Sequence, residues 1–189
     1  MLQEPLVRIV QELFAEGGGE KYFGEAVTLH EHALQCAFIA VEAGAKPPMI
    51  VAALLHDVGH LLLGAAQTIA DHDTDGHHES VGCLWLAQYF GPEVVEPVRL
   101  HVDAKRYLCA VDPDYFEALS AASLQSLALQ GGAMTEEEVM AFEVQPFARD
   151  AVRLRRWDDQ AKEPEIEVPG FEHYAATLVG VARRSTAHV

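Results

Sequence analysis

Residues 54–60 of this chain read LLHDVGH, so a histidine and an aspartate stand side by side directly after an apolar segment. Pro47-Pro48 can open a helix, because proline is tolerated in a first turn, and the apolar residues that follow extend it toward His56 and Asp57. Burying an ionisable pair at the end of such a helix is costly unless a metal or other partners compensate. The pair therefore predicts a buried metal site.

Further histidines recur before and after this pair at nearly even intervals. The series His32, His56, His78, His101 advances by 56−32=24, 78−56=22 and 101−78=23 residues. Each step has about the length of two short helices and a turn. Successive helices can therefore each bring one ligand to a shared centre.

The residue types in this series indicate a centre with two metals. Neutral imidazole nitrogens and carboxylates suit Fe, Mn, Zn, Ni or Co, and an aspartate can bridge two cations through its two oxygens. Asp57 is the natural bridge. The remaining ligands would then be His32, His56 and a late aspartate, Asp158, for one metal, and His78 and His101 for the other. Both metals would keep open positions of the kind that a substrate and oxygen need.

Other histidines compete for these places. His30, His72 and His77 stay open as alternative ligands. Residues 71–76 imitate the first half of a calcium loop, but its twelfth position falls on Gly82, where a bidentate glutamate is required. We interpret that stretch as a solvated loop at the mouth of the site.

Helical signals cover most of the chain. Apolar residues recur with helical period from Leu6 to Phe14, and Thr28 with Glu31 has the spacing of a capping box. Gly44 fits the left-handed position after the end of that second helix. Further helices are predicted over residues 78–90, 92–101, 120–130, 135–142, 146–160 and 170–183. No segment alternates with a period of two, so we expect an all-α fold.

Length and composition limit the possibilities further. A chain of 189 residues can bury a sizeable core, and residues 162–170 look like a surface connection, so we expect one domain over residues 1–189. A formal net charge of −16 disfavours nucleic acid and anionic membranes as partners, and an anionic substrate would need a local basic site.

Cys36, Cys83 and Cys109 form no CxxC pair and are predicted to be buried free thiols. Without a leader or an apolar membrane span, we expect a cytoplasmic monomer or homodimer.

Two further features narrow the family. Tyr22 and Glu25 precede His32, and residues 99–107 read RLHVDAKRY. Together with the ligand series, these residues resemble the HD-domain superfamily, and more narrowly its mixed-valent diiron oxygenases that cleave the C–P bond of 1-hydroxyphosphonates. The resemblance covers almost the whole chain. A plain HD phosphohydrolase would not require Tyr22 and Glu25.

The resemblance implies a helical bundle around two iron ions in the Fe(II)/Fe(III) state, with dioxygen as cosubstrate. It implies one iron held by His32, His56, Asp57 and Asp158 and the other held by Asp57, His78 and His101. The choice of Asp158 over its neighbour Asp159 rests on this resemblance. Tyr22 would ligate the second iron at rest and would leave when the substrate chelates that iron.

The same resemblance implies substrate contacts. Glu25 would help to hold the amino end of the substrate, and His60 would adjoin the site. The phosphonate would be held by Lys105, Ser123, Ser126 and Arg155. Lys and Arg donors suit a dianionic phosphonate, whereas serines near a helix start are often caps, so the cap remains an alternative for Ser123 and Ser126.

The resulting hypothesis is a dioxygenase that cleaves a (2-amino or 2-trimethylamino)-1-hydroxyethylphosphonate to phosphate and glycine or glycine betaine. One alternative is a metal-dependent HD phosphohydrolase acting on a small phosphate ester or nucleotide, since the same centre could activate water. Another is a non-catalytic HD module that senses a metal or a ligand. The dioxygenase would release phosphate only with oxygen, the phosphohydrolase would release it without oxygen, and the sensor would release none.

Overall fold

The computed structural model describes residues 3–19, 21–22, 25–63 and 78–183. His72, His77 and the acidic stretch 71–76 lie outside the described residues. The helices of the described part are α1 (Gln3–Gly17), α2 (Leu29–Glu42), α3 (Pro47–Leu55), α4 (Val58–Leu63), α5 (His78–Leu86), α6 (Pro92–Val111), α7 (Pro113–Glu117), α8 (Ala121–Leu129), α9 (Glu136–Glu143), α10 (Ala148–Gln160) and α11 (Glu172–Val181). Extended pairing within these residues is limited to one bridge between Lys21 and Thr28. The all-α prediction is confirmed.

The capping box, the glycine turn and the proline helix start predicted from the sequence are all present in the structure. Thr28 caps α2, and its hydroxyl and the Glu31 side chain form both bonds of the capping box. Gly44 follows α2 with a φ of 66°, a left-handed conformation that glycine adopts without steric cost. Helix α3 starts at Pro47 and ends at Leu55, so His56 and Asp57 form a two-residue break before α4.

Some predicted helix bounds were wrong. The helix predicted over residues 92–101 continues to Val111, past Pro97, and ends where Pro113 follows Asp112. Pro97 lacks the N–H of one helical hydrogen bond, yet the helix continues past it, whereas Asp112, the residue before Pro113, is extended. Helix α10 starts at Ala148, because Phe147 has a φ of 67°. The short helices α4 and α7 were not predicted as separate elements.

Helix α3 lies at the centre of the core. It packs against α2, α6, α10 and α11, and its residues from Val51 to Leu55 are at most 1% exposed. Burying a leucine side chain of this kind contributes roughly 2 kcal/mol of stability. This burial fixes the end of α3, and with it His56 and Asp57, in the interior.

Helices α4 and α5 approach each other at two glycines. A Cβ atom on Gly59 would lie 1.9 Å from the carbonyl oxygen of His78, and one on Gly82 would lie 3.3 Å from the Gly59 nitrogen. The absence of a side chain at Gly59 therefore allows the start of α5 to lie against α4. This contact brings His78 next to the His56–Asp57 break.

The three cysteines are free thiols, as predicted. Cys36 and Cys83 are buried, and Cys109 is partly buried. No helix among the described residues combines the length and the apolar character needed to cross a membrane.

Candidate metal centre

Six side chains of the predicted series meet in the interior of the bundle. They come from α2, the α3–α4 break, α5, α6 and α10, and their exposed fractions are 0% for His32, 0% for His56, 8% for Asp57, 9% for His78, 2% for His101 and 1% for Asp158. Such polar residues are seldom buried together unless they are paired or hold a metal. We call these six residues the His/Asp cluster.

One half of the cluster gathers around Oδ2 of Asp57. The Nε2 atoms of His32 and His56 lie 3.2 Å apart, and His56 Nε2 lies 3.3 Å from Asp57 Oδ2. Asp158 approaches from α10, with its Oδ1 3.3 Å from His32 Nε2. These atoms can converge on one cation.

The other half gathers around Oδ1 of the same aspartate. His78 Nε2 and His101 Nε2 lie 3.4 Å and 3.7 Å from Asp57 Oδ1. The two nitrogens are 3.3 Å from each other. The two oxygens of Asp57 thus face different histidine pairs, which is the arrangement a bridging carboxylate needs.

Backbone carbonyls orient three of these histidines. The Nδ1 atom lies 2.7 Å from Ala161 O in His32, 2.9 Å from Ala53 O in His56 and 2.6 Å from Val98 O in His101. When Nδ1 carries the donated proton, Nε2 presents its lone pair to the centre. Lone pairs 3.2–3.3 Å apart repel unless a cation or a proton lies between them.

The carboxylates support the same conclusion. Asp57 Oδ2 and Asp158 Oδ1 are buried without a hydrogen-bond partner in the described part of the chain. An unsatisfied buried acceptor costs roughly 1–3 kcal/mol, and more for a charged group. A metal ion would satisfy both atoms, and the mixed N/O donor set suits a first-row transition metal. The cluster therefore fits a metal site.

The protonation states of Asp57 and His101 are those that metal ligands need, whereas the pKa of His56 favours a proton that a metal would replace. Burial acts to raise the pKa of Asp57, but His56 and His78 hold it well below its ordinary value. Burial and then His78 lower the pKa of His101 to about 3, so its imidazole is neutral at pH 7. Burial opposes a charge on His56, yet Asp57 and Cys36 raise its pKa well above its ordinary value. The cluster thus favours a positive charge at its centre.

Arg155 determines which of two neighbouring aspartates faces the cluster. Its Nη1 lies 2.8 Å from Asp158 Oδ2, which leaves Oδ1 of Asp158 directed at the histidines. Asp159 pairs with Nη2 and Nε of Arg155 and accepts a hydrogen bond from Tyr115. The geometry brings Asp158 into the cluster and holds Asp159 behind Arg155.

Tyr22 and His60 stack on opposite histidine pairs. The Tyr22 ring is parallel to His32 with 4.0 Å between centroids, and His60 stacks on His78 at 3.9 Å. Burial, followed by the charges of Asp158 and Asp57, raises the pKa of Tyr22 well above its ordinary value. Both rings therefore adjoin the cluster. His30, by contrast, packs against Phe14 and joins neither metal-binding group.

Lys105 is a buried cation beside the cluster. It is 2% exposed, and its Nζ donates to Ser126 Oγ at 2.8 Å. Burial, then Arg155, lowers the pKa of Lys105 to about 7. Within the described residues it forms no ion pair with a carboxylate.

The predicted serines do not cap helix α8. Ser120 is the cap and accepts from the Ser123 backbone N–H at 3.1 Å. Ser126 Oγ instead accepts from Lys105, and Ser123 Oγ accepts from Lys162 at 3.0 Å. The cap alternative for Ser123 and Ser126 is wrong, because the helix starts earlier than either residue.

Sequence reasoning missed Lys162, which had been assigned to a surface connection. Its side chain is only 13% exposed and lies 3.4 Å from Glu25 Oε1. Its Nζ is 5.9 Å from the centroid of the Tyr22 ring. The signal that could have found Lys162 is its spacing, since it follows Asp158 by four residues at the end of α10. We call Lys105, Arg155 and Lys162 the basic cluster.

Comparison with known proteins identifies the family. The HD domain family model matches residues 29–142, a span that contains His32, the His56–Asp57 pair, His78 and His101. This chain belongs to the HD domain family. Asp158 lies beyond the matched span, so its assignment rests on the structure and on the resemblance.

Two curated relatives of this HD domain are phosphonate dioxygenases. The hydroxymethylphosphonate dioxygenase of Gimesia maris is 48% identical over 163 residues, covering 82% of this chain and 78% of the relative. The 1-hydroxy-2-(trimethylamino)ethylphosphonate dioxygenase (glycine-betaine-forming) of Leisingera caerulea is 42% identical over 170 residues, covering 90% and 87%. The resemblance to HD-domain phosphonate dioxygenases is confirmed. These relatives support an enzyme of the oxygenase type.

Proposed function

We propose that this HD domain is a diiron oxygenase that uses dioxygen to cleave the C–P bond of a small 1-hydroxyalkylphosphonate, giving phosphate and a carboxylate. The observation that carries the proposal is the division of the His/Asp cluster by Asp57, whose two oxygens each face a different histidine pair. The names of the two relatives support the reaction class.

The proposed ligand sets follow the contacts in the cluster. One iron would be held by His32, His56, Asp57 and Asp158, and the other by Asp57, His78 and His101. Bound iron in the Fe(II)/Fe(III) state would supply the redox and Lewis-acid chemistry with dioxygen. The protein contributes imidazoles whose direction is fixed by backbone carbonyls at His32, His56 and His101, so the ligand atoms face the centre before the metal binds.

The basic cluster supports an anionic substrate. Lys105 is buried and its Nζ contacts the neutral hydroxyl of Ser126 rather than a carboxylate, so a phosphonate would supply its missing counter-ion. Arg155 is already bound to Asp158 and Asp159, so we propose that it acts chiefly by orienting Asp158. Ser123 and Ser126 would add hydroxyl donors to the phosphonate oxygens.

Tyr22 and His60 are proposed to flank the reacting groups. The Tyr22 ring lies against His32 and is protonated near neutral pH, so its hydroxyl can donate a hydrogen bond or give way to a substrate. His60 stacks on His78, and burial and then His78 lower its pKa well below its ordinary value. A neutral His60 can accept a hydrogen bond from a nearby hydroxyl.

The reaction balances with dioxygen as the oxidant. For the simplest substrate, hydroxymethylphosphonate, the C–P bond and one C–H bond break, and both oxygen atoms enter the products, formate and phosphate. Substrates with a 2-amino or 2-trimethylamino group would give glycine or glycine betaine by the same balance. One phosphate is therefore expected for each dioxygen consumed.

The experiment is incubation of iron-loaded protein with 1-hydroxyalkylphosphonates, with and without air, followed by phosphorus NMR and an oxygen electrode. We expect phosphate release only in air and in equal amount to the oxygen consumed. Phosphate release undiminished without oxygen, or hydrolysis of a phosphate monoester in its place, would favour the phosphohydrolase. Iron-loaded protein that releases no phosphate from any substrate would favour the non-catalytic sensor.

A further inference from the structure

Lys162 and Glu25 form an ion pair beside Tyr22. Lys162 Nζ lies 3.4 Å from Glu25 Oε1, and Ser120 donates a hydrogen bond of 2.6 Å to the same oxygen. The two charged side chains are 13% and 17% exposed, so solvent screens their attraction only in part. The Glu25 backbone N–H donates a hydrogen bond of 2.7 Å to the backbone carbonyl oxygen of Tyr22. Glu25 is therefore held next to the residue whose ring stacks on His32.

Contacts with α2 hold Lys162 in place. Ala161, the residue before it, accepts at its carbonyl from His32 Nδ1 at 2.7 Å. Glu163, the residue after it, exchanges two hydrogen bonds with the buried side chain of Gln35, at 2.8 Å and 3.1 Å. The backbone on both sides of Lys162 is therefore anchored to the helix that carries His32.

The surrounding carboxylates are already paired. Arg155 binds Asp158 and Asp159, and Lys162 binds Glu25. Among the described residues of this region, Lys105 is a buried cation without a carboxylate partner. Among the described residues, a substrate anion can therefore pair with Lys105, whereas a substrate ammonium near Glu25 meets carboxylates that Lys162 and Arg155 already bind.

We propose that the Lys162–Glu25 pair makes this chain selective for a 1-hydroxyalkylphosphonate that carries no ammonium group, with hydroxymethylphosphonate as the simplest member. This inference rests on the proposed function. A substrate ammonium at Glu25 would either displace Lys162 from the carboxylate or lie next to a like charge, and both arrangements are unfavourable. Glu25 then serves as the counter-ion of Lys162 and not as an amine-binding residue.

The test compares kcat/KM of the iron-loaded protein for hydroxymethylphosphonate and for 2-amino-1-hydroxyethylphosphonate. We expect the amine-free substrate to be favoured at least roughly tenfold, the factor that one charge-assisted contact contributes. Removing the lysine charge in Lys162→Met or Lys162→Gln should free Glu25 and shift the ratio toward the amine by a similar factor. The double variant Lys162→Met/Glu25→Gln should lose that gain.

Lys46→Met is the matched control, because Lys46 is exposed at the start of α3 and makes no side-chain capping bond. It should leave the substrate ratio unchanged. Anaerobic calorimetry with the same two phosphonates measures binding separately from turnover. A wild-type preference for the amine, or a ratio that neither Lys162 variant moves, overturns the inference. Absence of C–P cleavage with every substrate contradicts the proposed function instead, and the calorimetric ratio still decides the inference.

Discussion

At the scale of single residues, Asp57 has the most demanding position in the molecule. It is 8% exposed, its two oxygens face different histidine pairs, and Oδ2 has no hydrogen-bond donor within the described chain. No other side-chain type of similar size offers two equivalent anionic oxygens. A substitution that keeps the shape of Asp57 but removes its charge should therefore weaken metal binding in both halves of the cluster.

Asp57→Asn is expected to reduce bound metal from about two ions per chain to less than one, because the bridge connects both sites. Elemental analysis of protein purified with iron measures this, and circular dichroism checks that the fold persists. Asp114→Asn, at an exposed position of α7, is the control and should keep the wild-type metal content. Full metal content in Asp57→Asn would contradict a bridging role.

Lys105 should make phosphonate binding dependent on pH. Burial, then Arg155, lowers its pKa to about 7, so the free protein loses this charge as the pH rises through that value. A phosphonate dianion favours the protonated form, so its binding above pH 7 should be accompanied by proton uptake. Calorimetry in two buffers of different ionisation enthalpy measures the number of protons.

The lysine also affects stability with a defined sign. The pKa of Lys105 is about 7 in the folded chain and has its ordinary value of 10.5 in the unfolded chain, so between these values the unfolded chain binds more protons. The contribution of Lys105 to folding stability therefore improves as pH rises through that window.

Lys105→Met should abolish the proton uptake and lower kcat/KM roughly 10- to 100-fold while raising Tm. A variant with wild-type kcat/KM would exclude Lys105 from substrate binding.

At the scale of elements, the crossing of α4 and α5 brings the two halves of the cluster together. Helix α4 starts directly after Asp57, and α5 starts at His78. Their approach depends on Gly59, because a Cβ atom there would meet the His78 carbonyl oxygen at 1.9 Å. The position of His78 is thus set by a residue that offers no ligand atom.

Gly59→Ala is expected to push α5 away from α4, since the clash is with backbone and not with a flexible side chain. The cost of such overpacking is roughly 1–3 kcal/mol, or a fall in Tm of roughly 2–12 °C for a chain of this size. Gly180→Ala, in α11 with nothing within 4 Å of the added Cβ, is the control and should maintain or raise Tm. Thermal unfolding followed by circular dichroism checks both, and equal Tm values would contradict the close approach.

At the scale of the whole molecule, the His/Asp cluster joins helices that are far apart in sequence. Its residues come from α2, the α3–α4 break, α5, α6 and α10, so a metal would connect most of the bundle at one point. The two unpaired carboxylate oxygens and the facing imidazole nitrogens lose their repulsion when a cation binds. Metal binding and folding stability are therefore coupled.

Removing the metal should lower the stability of the whole domain. A ligand present at 100 times its Kd stabilises the folded state by about 2.7 kcal/mol, which corresponds to roughly 5–10 °C in Tm. Differential scanning fluorimetry of chelator-treated and iron-reloaded protein measures the difference, with metal content verified in each sample. An unchanged Tm after verified loss of the metal would show that the cluster is held by the protein alone.

The sequence alone was sufficient for the local features, because helix caps and apolar periodicity act over a few residues. The sequence predicted the capping box of Thr28 and Glu31, the Gly44 turn and the apolar segment leading to His56. It also showed the even spacing of the histidines. Single-domain organisation over residues 1–189 stays a prediction.

The tertiary structure decided what depends on contacts between distant segments. Which aspartate faces the histidines is determined by Arg155, which holds Asp159 away from the cluster. The burial of Lys162 and its pairing with Glu25 depend on the anchoring of the segment after α10 to α2, a contact between residues 163−35=128 positions apart. Sequence patterns record the period of a helix but not the partner that a side chain meets across the core. The ligand set and its division around Asp57 could therefore be predicted from the sequence, while the roles of Arg155 and Lys162 required the fold.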